Sequence, residues 1–212
     1  MNSESLLLYA VTDARTGPDL ESAVEAALRG GVTLLQLRMK GAQDEELLRT
    51  AKRLLTITNA YGVPLIVNDR ADIAVAAGAA GAHLGPADGD LRKARALLGP
   101  KRILGATARS IEQAVNAEAA GADYLGSGAV FGSGTKADAT KMPLDVLRSI
   151  CAGVKIPVVA IGGIDAGNIA ALAGCGAAGV AVVGGIFGQP DIELAAKELL
   201  RMGRAIFCPQ SR

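Results

Sequence analysis

Short apolar runs alternate with amphipathic stretches along the whole chain. Residues 6–12 are apolar. Residues 19–29 then place Leu20, Val24, Ala27 and Leu28 at helical spacing and end at Gly30-Gly31. The pattern returns in an apolar run at 32–37, a helical stretch at 44–61 closing at Gly62, and a third apolar run at 64–67. Further strands are predicted at 82–84, 102–106, 123–125, 158–161 and 179–183. Helices are predicted near 71–80, 90–98, 111–120, 144–152, 166–173 and 192–202. The strands read as continuous apolar runs, the mark of parallel strands buried on both faces. A weak repeat supports the alternation. Gly30-Gly31-Val32, Ala80-Gly81-Ala82, Ala120-Gly121-Ala122 and Cys175-Gly176-Ala177 each stand where a helix should close before a strand. Glycine takes the left-handed backbone there without a Cβ clash.

Eight strand–helix units in 212 residues give roughly 26 residues per unit, enough for one compact pair each. The expected fold class is therefore α/β, a single-domain (β/α)8 barrel spanning residues 1–212. Its core is expected over about 6–204, with a loose C-terminal tail at 205–212. An open doubly wound sheet is the alternative, but no GxGxxG follows the first strand.

Composition narrows the function. With 22 basic and 21 acidic residues the net charge is +1, and only 3% of residues are aromatic. Such a chain has neither the field nor the stacking platforms for nucleic acid, nor the field for an anionic membrane. Residues 1–8 carry no basic segment followed by a long apolar one, so no signal peptide is expected. Cys151, Cys175 and Cys208 lack CxxC spacing and read as reduced thiols of a cytoplasmic protein. One histidine, His83, excludes a two-histidine metal site. Its simplest reading is a hydrogen-bonded imidazole within strand 4. Chemistry here should rest on carboxylates, cations and backbone amides. The sequence leaves the oligomeric state open, and a homo-oligomer is compatible with it.

Active sites of (β/α)8 barrels lie at the C-terminal ends of the strands. Strand 2 ends in Gln36-Leu37-Arg38-Met39-Lys40, and alternate strand residues share a face. Gln36, Arg38 and Lys40 are thus expected to project together as a clamp for a polyanion. Asp69 and Asp88, at neighbouring strand ends, are candidate Mg²⁺ ligands. Asp69 could instead pair with Arg70 or cap a helix, and Asp88 could cap the helix near residue 90. The segment Gly132-Ser133-Gly134-Thr135-Lys136 has the makings of a phosphate cradle without Walker spacing. Gly162-Gly163 and Gly184-Gly185, after strands 7 and 8, stand where such barrels often hold phosphate, though close packing at a narrow mouth would also demand glycine.

These motifs, in this order and spacing, resemble the thiamine-phosphate synthase (thiamin phosphate pyrophosphorylase) family over roughly residues 6–204. The resemblance rests on Leu8-Tyr9-Ala10-Val11-Thr12-Asp13, the Gln36 to Lys40 motif, Val67-Asn68-Asp69-Arg70 and His83-Leu84-Gly85-Pro86-Ala87-Asp88. It continues through Gly121-Ala122-Asp123-Tyr124, the Phe131 to Lys136 segment and Ala160-Ile161-Gly162-Gly163-Ile164. It implies a cytoplasmic transferase that joins 4-amino-2-methyl-5-hydroxymethylpyrimidine diphosphate to 4-methyl-5-(2-phosphoethyl)thiazole, with Mg²⁺ as cofactor. By that resemblance Gln36, Arg38, Lys40, Asn68 and Lys136 hold the pyrimidine diphosphate, and Asp69 and Asp88 bind the metal. Thr107 stands where the family often has serine. Ser133, Thr135, Gly163, Val183 and Gly184 approach the thiazole phosphate. Arg38, Lys40, Lys136 and Thr107 are the implied catalytic residues. The chain departs from the family pattern at Gly132-Ser133, where Pro-Thr is commoner, at Arg109, near where a histidine is frequent, and at Gly184, where serine is usual. A thiazole tautomerase on the same barrel, a non-catalytic phosphate sensor and a phosphosugar isomerase or epimerase are the rival readings. The first needs a histidine near strand 5 and the last an acid–base pair, and neither is evident.

Overall fold

The predicted apolar runs become eight four- or five-residue strands: β1 (Leu8–Val11), β2 (Leu34–Leu37), β3 (Leu65–Asn68), β4 (Gly81–Leu84), β5 (Ile103–Thr107), β6 (Tyr124–Gly128), β7 (Val158–Ile161) and β8 (Gly179–Val182). The computed structural model describes residues 3–13, 16, 19–132 and 141–208. Each strand pairs in parallel with the next, and β8 returns to β1, so the sheet closes into a barrel in sequence order. Helices α1 (Leu20–Arg29), α2 (Asp44–Ala60), α3 (Ala71–Ala77), α4 (Leu91–Leu98), α5 (Ile111–Ala119) and α6 (Leu144–Gly153) follow the first six strands. The chain is thus the (β/α)8 barrel expected from its alternation.

Three details differ from the sequence expectation. Gly31 and Gly121 take positive φ beyond their helices, and Gly176 does so before β8, but Gly81 is a strand residue. The left-handed Gly78 closes α3 instead. After β7 a 3-10 turn, Ile169–Leu172, replaces the helix expected at 166–173. Gly167 and Gly174 bracket a segment too short to repay helix nucleation. Finally, α8 (Ile192–Phe207) runs past residue 202, so the tail expected from 205 begins as helix. A short α7 (Gly184–Phe187) sits directly after β8.

The core has two parts. Leu34, Ile66, Tyr9, Tyr124, Val159 and Ala181 fill the barrel. A larger apolar layer lies between the barrel and the helices and includes Leu35, Leu54, Leu104, Leu147 and Leu199. Ser127 is fully buried on β6, and its hydroxyl finds no hydrogen-bond partner among the described residues. Small residues let the outer ring close: a Cβ at Gly30 would overlap the Ala196 side chain and the Glu193 carbonyl of α8. At the N-terminal end of the barrel, Arg95 of α4 donates to the carbonyls of Gly99 (2.8 Å), Arg102 (2.7 Å) and Gly121 (3.0 and 2.9 Å) and pairs with Asp123. Asp123 in turn accepts from the Leu104 amide at 2.7 Å. One guanidinium therefore ties together the segments leading into β5 and β6.

Candidate active site

At the C-terminal ends of the strands lies a cavity of about 470 Å³. Gln36, Arg38, Lys40, Asn68, Asp69, Asp88, Thr107, Gly163, Val183 and Gly184 all line it. Ser133, Thr135 and Lys136 lie outside the described residues. The chain flanking them is tied to the mouth, the Phe131 amide donating to the Gly162 carbonyl at 3.0 Å and the Met142 amide to that of Ala129 at 2.7 Å.

The β2 alternation holds. Leu34 points into the barrel core, and Gln36, Arg38 and Lys40 follow on the same face into the cavity. Arg38 and Lys40 lie just beyond the strand, and Thr12 fixes their approach. Its amide donates to the Gln36 carbonyl at 3.0 Å, and its hydroxyl accepts the Arg38 amide at 3.0 Å.

Asp69 follows Asn68 with φ 65, in the left-handed region. Aspartate tolerates that region better than most side chains, and such backbone clusters at functional sites. Its amide still donates to the His83 carbonyl at 2.8 Å, which holds the turn against β4. Asp69 pairs with Lys40, not with Arg70. Arg70 reaches Asp44 and Asp72 instead, stapling the β3 turn to the start of α2. Asp88 does not cap α4 either, since Asp90 accepts the Arg92 amide there at 2.7 Å. Asp88 closes its own turn through the Gly85 amide at 2.8 Å and lies 3.9 Å from Lys40 Nζ.

Burial, followed by the neighbouring Asp88 carboxylate, raises the Asp69 carboxyl above its ordinary range, and Lys40 only partly offsets this. Two oxygen-donor groups crowded to that degree form a site that gains from a hard cation. They suit Mg²⁺, which is commonly held by one or two carboxylates with water and substrate oxygens completing its shell.

Across the mouth, Gly162 and Gly163 both have positive φ, and a Cβ on Gly162 would overlap Ala129. These glycines therefore serve packing as well as exposing backbone to the cavity. Gln189 Nε2 donates to the Gly184 carbonyl at 3.1 Å and holds the first turn of α7.

Several lining residues had no role in the sequence reading: Tyr9, Asp165 and Gln189, with Arg109 noted only as a departure from pattern. His83 lines the cavity too, and it bonds through both ring nitrogens, to the hydroxyls of Tyr124 (3.0 Å) and Thr107 (3.0 Å). A tyrosine inside an apolar strand reads as plain core. For its partner Tyr124 the available signal was Gly105, which faces it on the preceding strand and becomes visible only once the register is known.

A closed (β/α)8 barrel whose mouth gathers, among the described residues, three cations (Arg38, Lys40, Arg109), three carboxylates (Asp69, Asp88, Asp165) and glycine-rich strand ends defines a barrel enzyme built to handle phosphorylated small molecules. Among the described residues no helix is long and apolar enough to cross a membrane. Residues 8–186 match the family model described as thiamine monophosphate synthase. The chain is 46% identical over 197 residues to the thiamine-phosphate synthase of Ruminiclostridium cellulolyticum, covering 92% of this chain and 94% of that one. It is 46% identical over 204 residues to thiamine-phosphate synthase 2 of Streptococcus pneumoniae, covering 95% and 97%. The solved thiamine phosphate pyrophosphorylase from Pyrococcus furiosus superposes with a TM-score of 0.89 at 39% identity, over 96% of this chain and 98% of that chain. The chain belongs to the thiamine monophosphate synthase family.

Proposed function

We propose that this chain is a transferase of thiamine biosynthesis. It joins 4-amino-2-methyl-5-hydroxymethylpyrimidine diphosphate to 4-methyl-5-(2-phosphoethyl)thiazole, giving thiamine phosphate and diphosphate. The observation that carries this is the convergence of Gln36, Arg38, Lys40, Asn68, Asp69 and Asp88 on one cavity in a member of this family.

An aminopyrimidine can push out diphosphate and leave a resonance-stabilised methylene cation. The thiazole nitrogen then supplies the electron pair for the new C–N bond. Such a path asks little of a general base. It needs charge placed against the leaving group and a second substrate held in line. Arg38 offers a bidentate fork to the diphosphate and Lys40 a point charge, with Lys136 as a third cation. Gln36 and Asn68 orient the pyrimidine, and Thr107 donates beside them. The backbones of Gly163, Val183 and Gly184, with Ser133 and Thr135, hold the thiazole phosphate. Mg²⁺ held by Asp69 and Asp88 would neutralise charge building on the departing diphosphate. Unpaired thiols, two of them buried or half-buried, suit a cytoplasmic setting.

Incubation with both substrates and Mg²⁺ tests the reading directly. Diphosphate and thiamine phosphate should appear in equal amounts. Isomerisation of a thiazole carboxylate phosphate without condensation would overturn it in favour of a tautomerase. Binding of either phosphate without turnover would overturn it in favour of a sensor.

A further inference from the structure

Below the mouth, five side chains form one row of hydrogen bonds through the barrel. Gln36 Nε2 donates to the Tyr9 hydroxyl. The Tyr9 and Tyr124 hydroxyls lie 2.8 Å apart, and Tyr124 lies 3.0 Å from His83 Nδ1. His83 Nε2 lies 3.0 Å from Thr107 Oγ1. The row crosses an interior otherwise filled by apolar side chains, and both of its ends face the cavity. The barrel makes room for it. A Cβ at Gly105 would collide with the ring tip of Tyr124, and one at Gly126 would lie 3.3 Å from His83 Cε1.

Proton counting gives the row a direction. An amide nitrogen can only donate, so the Tyr9 oxygen accepts from Gln36 and turns its own hydrogen to Tyr124. Tyr124 then donates to His83 Nδ1. A neutral imidazole carries its hydrogen on Nε2 and donates it to Thr107, whose hydroxyl hydrogen points elsewhere. Burial raises both phenols well above their ordinary range, so both keep their protons at neutral pH. The result at the cavity is fixed: Gln36 presents its carbonyl oxygen, and Thr107 presents a donor.

We propose that this row sets the donor–acceptor pattern of the cavity floor and thereby selects a pyrimidine bearing an exocyclic amine over its oxo analogue, with Tyr9, Tyr124 and His83 as positioning residues. The inference rests on the function proposed above and names what enforces its substrate class. The amine donates to Gln36 Oε1, and Thr107 donates to an acceptor on the same ligand. An oxo group would set one acceptor against another at Gln36. To relieve this the amide would have to flip and turn its carbonyl toward Tyr9, where the row runs the wrong way. Reversing the whole row would move the single imidazole proton to Nδ1 and turn the Thr107 hydrogen inward to Nε2, taking from the ligand the donor that Thr107 offers.

The test is binding, because an oxo group also changes the reactivity of the ring. Calorimetry compares the aminopyrimidine diphosphate with its 4-oxo analogue, each with Mg²⁺ and without thiazole, on wild type, Tyr9→Phe and Tyr124→Phe. Wild type should prefer the amine on the order of 10- to 100-fold, the scale of one mismatched buried hydrogen bond. Either phenylalanine variant should bring that ratio below about threefold by freeing the Gln36 amide to flip. If one variant fails to fold, the other decides. A folded variant that keeps the wild-type ratio, even with a lower melting temperature, would show the row to be only structural and overturn the proposal. Equal binding of the two diphosphates by wild type would overturn it as well. A wild type that binds neither diphosphate would overturn the function on which it rests.

Discussion

Asp69 combines a left-handed backbone with a carboxyl raised by burial and by Asp88, in direct contact with Lys40. Asparagine also tolerates that backbone, so Asp69→Asn removes charge while keeping the turn. We expect Asp69→Asn and Asp88→Asn each to raise the Mg²⁺ concentration for half-maximal activity at least ~10-fold, since loss of even an outer-shell partner costs that much. Mg²⁺ titration of diphosphate release, with calorimetry of Mg²⁺ binding alongside it, provides the check. Arg38→Ala and Lys136→Ala should each lose at least ~10² in turnover, by comparison with deletion of one electrostatic donor. Near wild-type turnover in either would remove that residue from the mechanism. At this scale the β2 clamp was legible because a period of two dictates a shared face. The Tyr9–Tyr124–His83 contact was not, because it joins β1, β4 and β6 and depends on a register that no local pattern encodes. Capping propensity likewise pointed Asp88 at α4, while Asp90, two residues on, caps that helix.

Among the elements, helices and strands were readable where apolar periodicity was long, and they failed where glycine was dense. The turn after β7 and the short α7 are both bracketed by glycine, and packing rather than propensity sets each: Ile169 and Leu172 bury the turn in the apolar layer between barrel and helices, and a Cβ on Gly185 of α7 would meet the Ile164 carbonyl. The Arg95 clamp sits at the end of the barrel away from the cavity, where loss should affect stability alone. Arg95→Met should cost about 2 kcal/mol, since charged hydrogen bonds contribute ~1.5–3 kcal/mol. For a chain of this length that is a fall in Tm of roughly 4–8 °C, with turnover at 25 °C nearly unchanged. Thermal melts and steady-state kinetics on one preparation would show the two separating, and a large loss of turnover would contradict it. Gly30→Ala should cost ~1–3 kcal/mol by overpacking, because its methyl would meet Ala196 and the Glu193 carbonyl where α1 touches α8.

For the whole molecule, the count of eight units made the barrel legible, but closure itself depends on β8 finding β1 across nearly the full chain. The near-neutral net charge told against macromolecular polyanions, yet the balance conceals a charged cluster at one end of the barrel. A ligand bridging that cluster binds only the folded chain. Pyrimidine diphosphate with Mg²⁺ at about 100 times its Kd should therefore stabilise the fold by ~2.7 kcal/mol, a rise in Tm of roughly 5–10 °C by scanning calorimetry. Thiol chemistry should separate surface from interior. Cys208 is exposed, while burial pushes the Cys151 thiol up to about 12 and raises Cys175 as well. Iodoacetamide at neutral pH should accordingly modify Cys208 well before the other two, as peptide mass mapping would show. Gly105 and Tyr124 also bear on how such a barrel can change over generations. The ring of one occupies the space a side chain on the other would need. In descent the two positions are a single inherited choice: a lineage that keeps the tyrosine must keep the glycine, and only one that shortens position 124 is free to enlarge position 105.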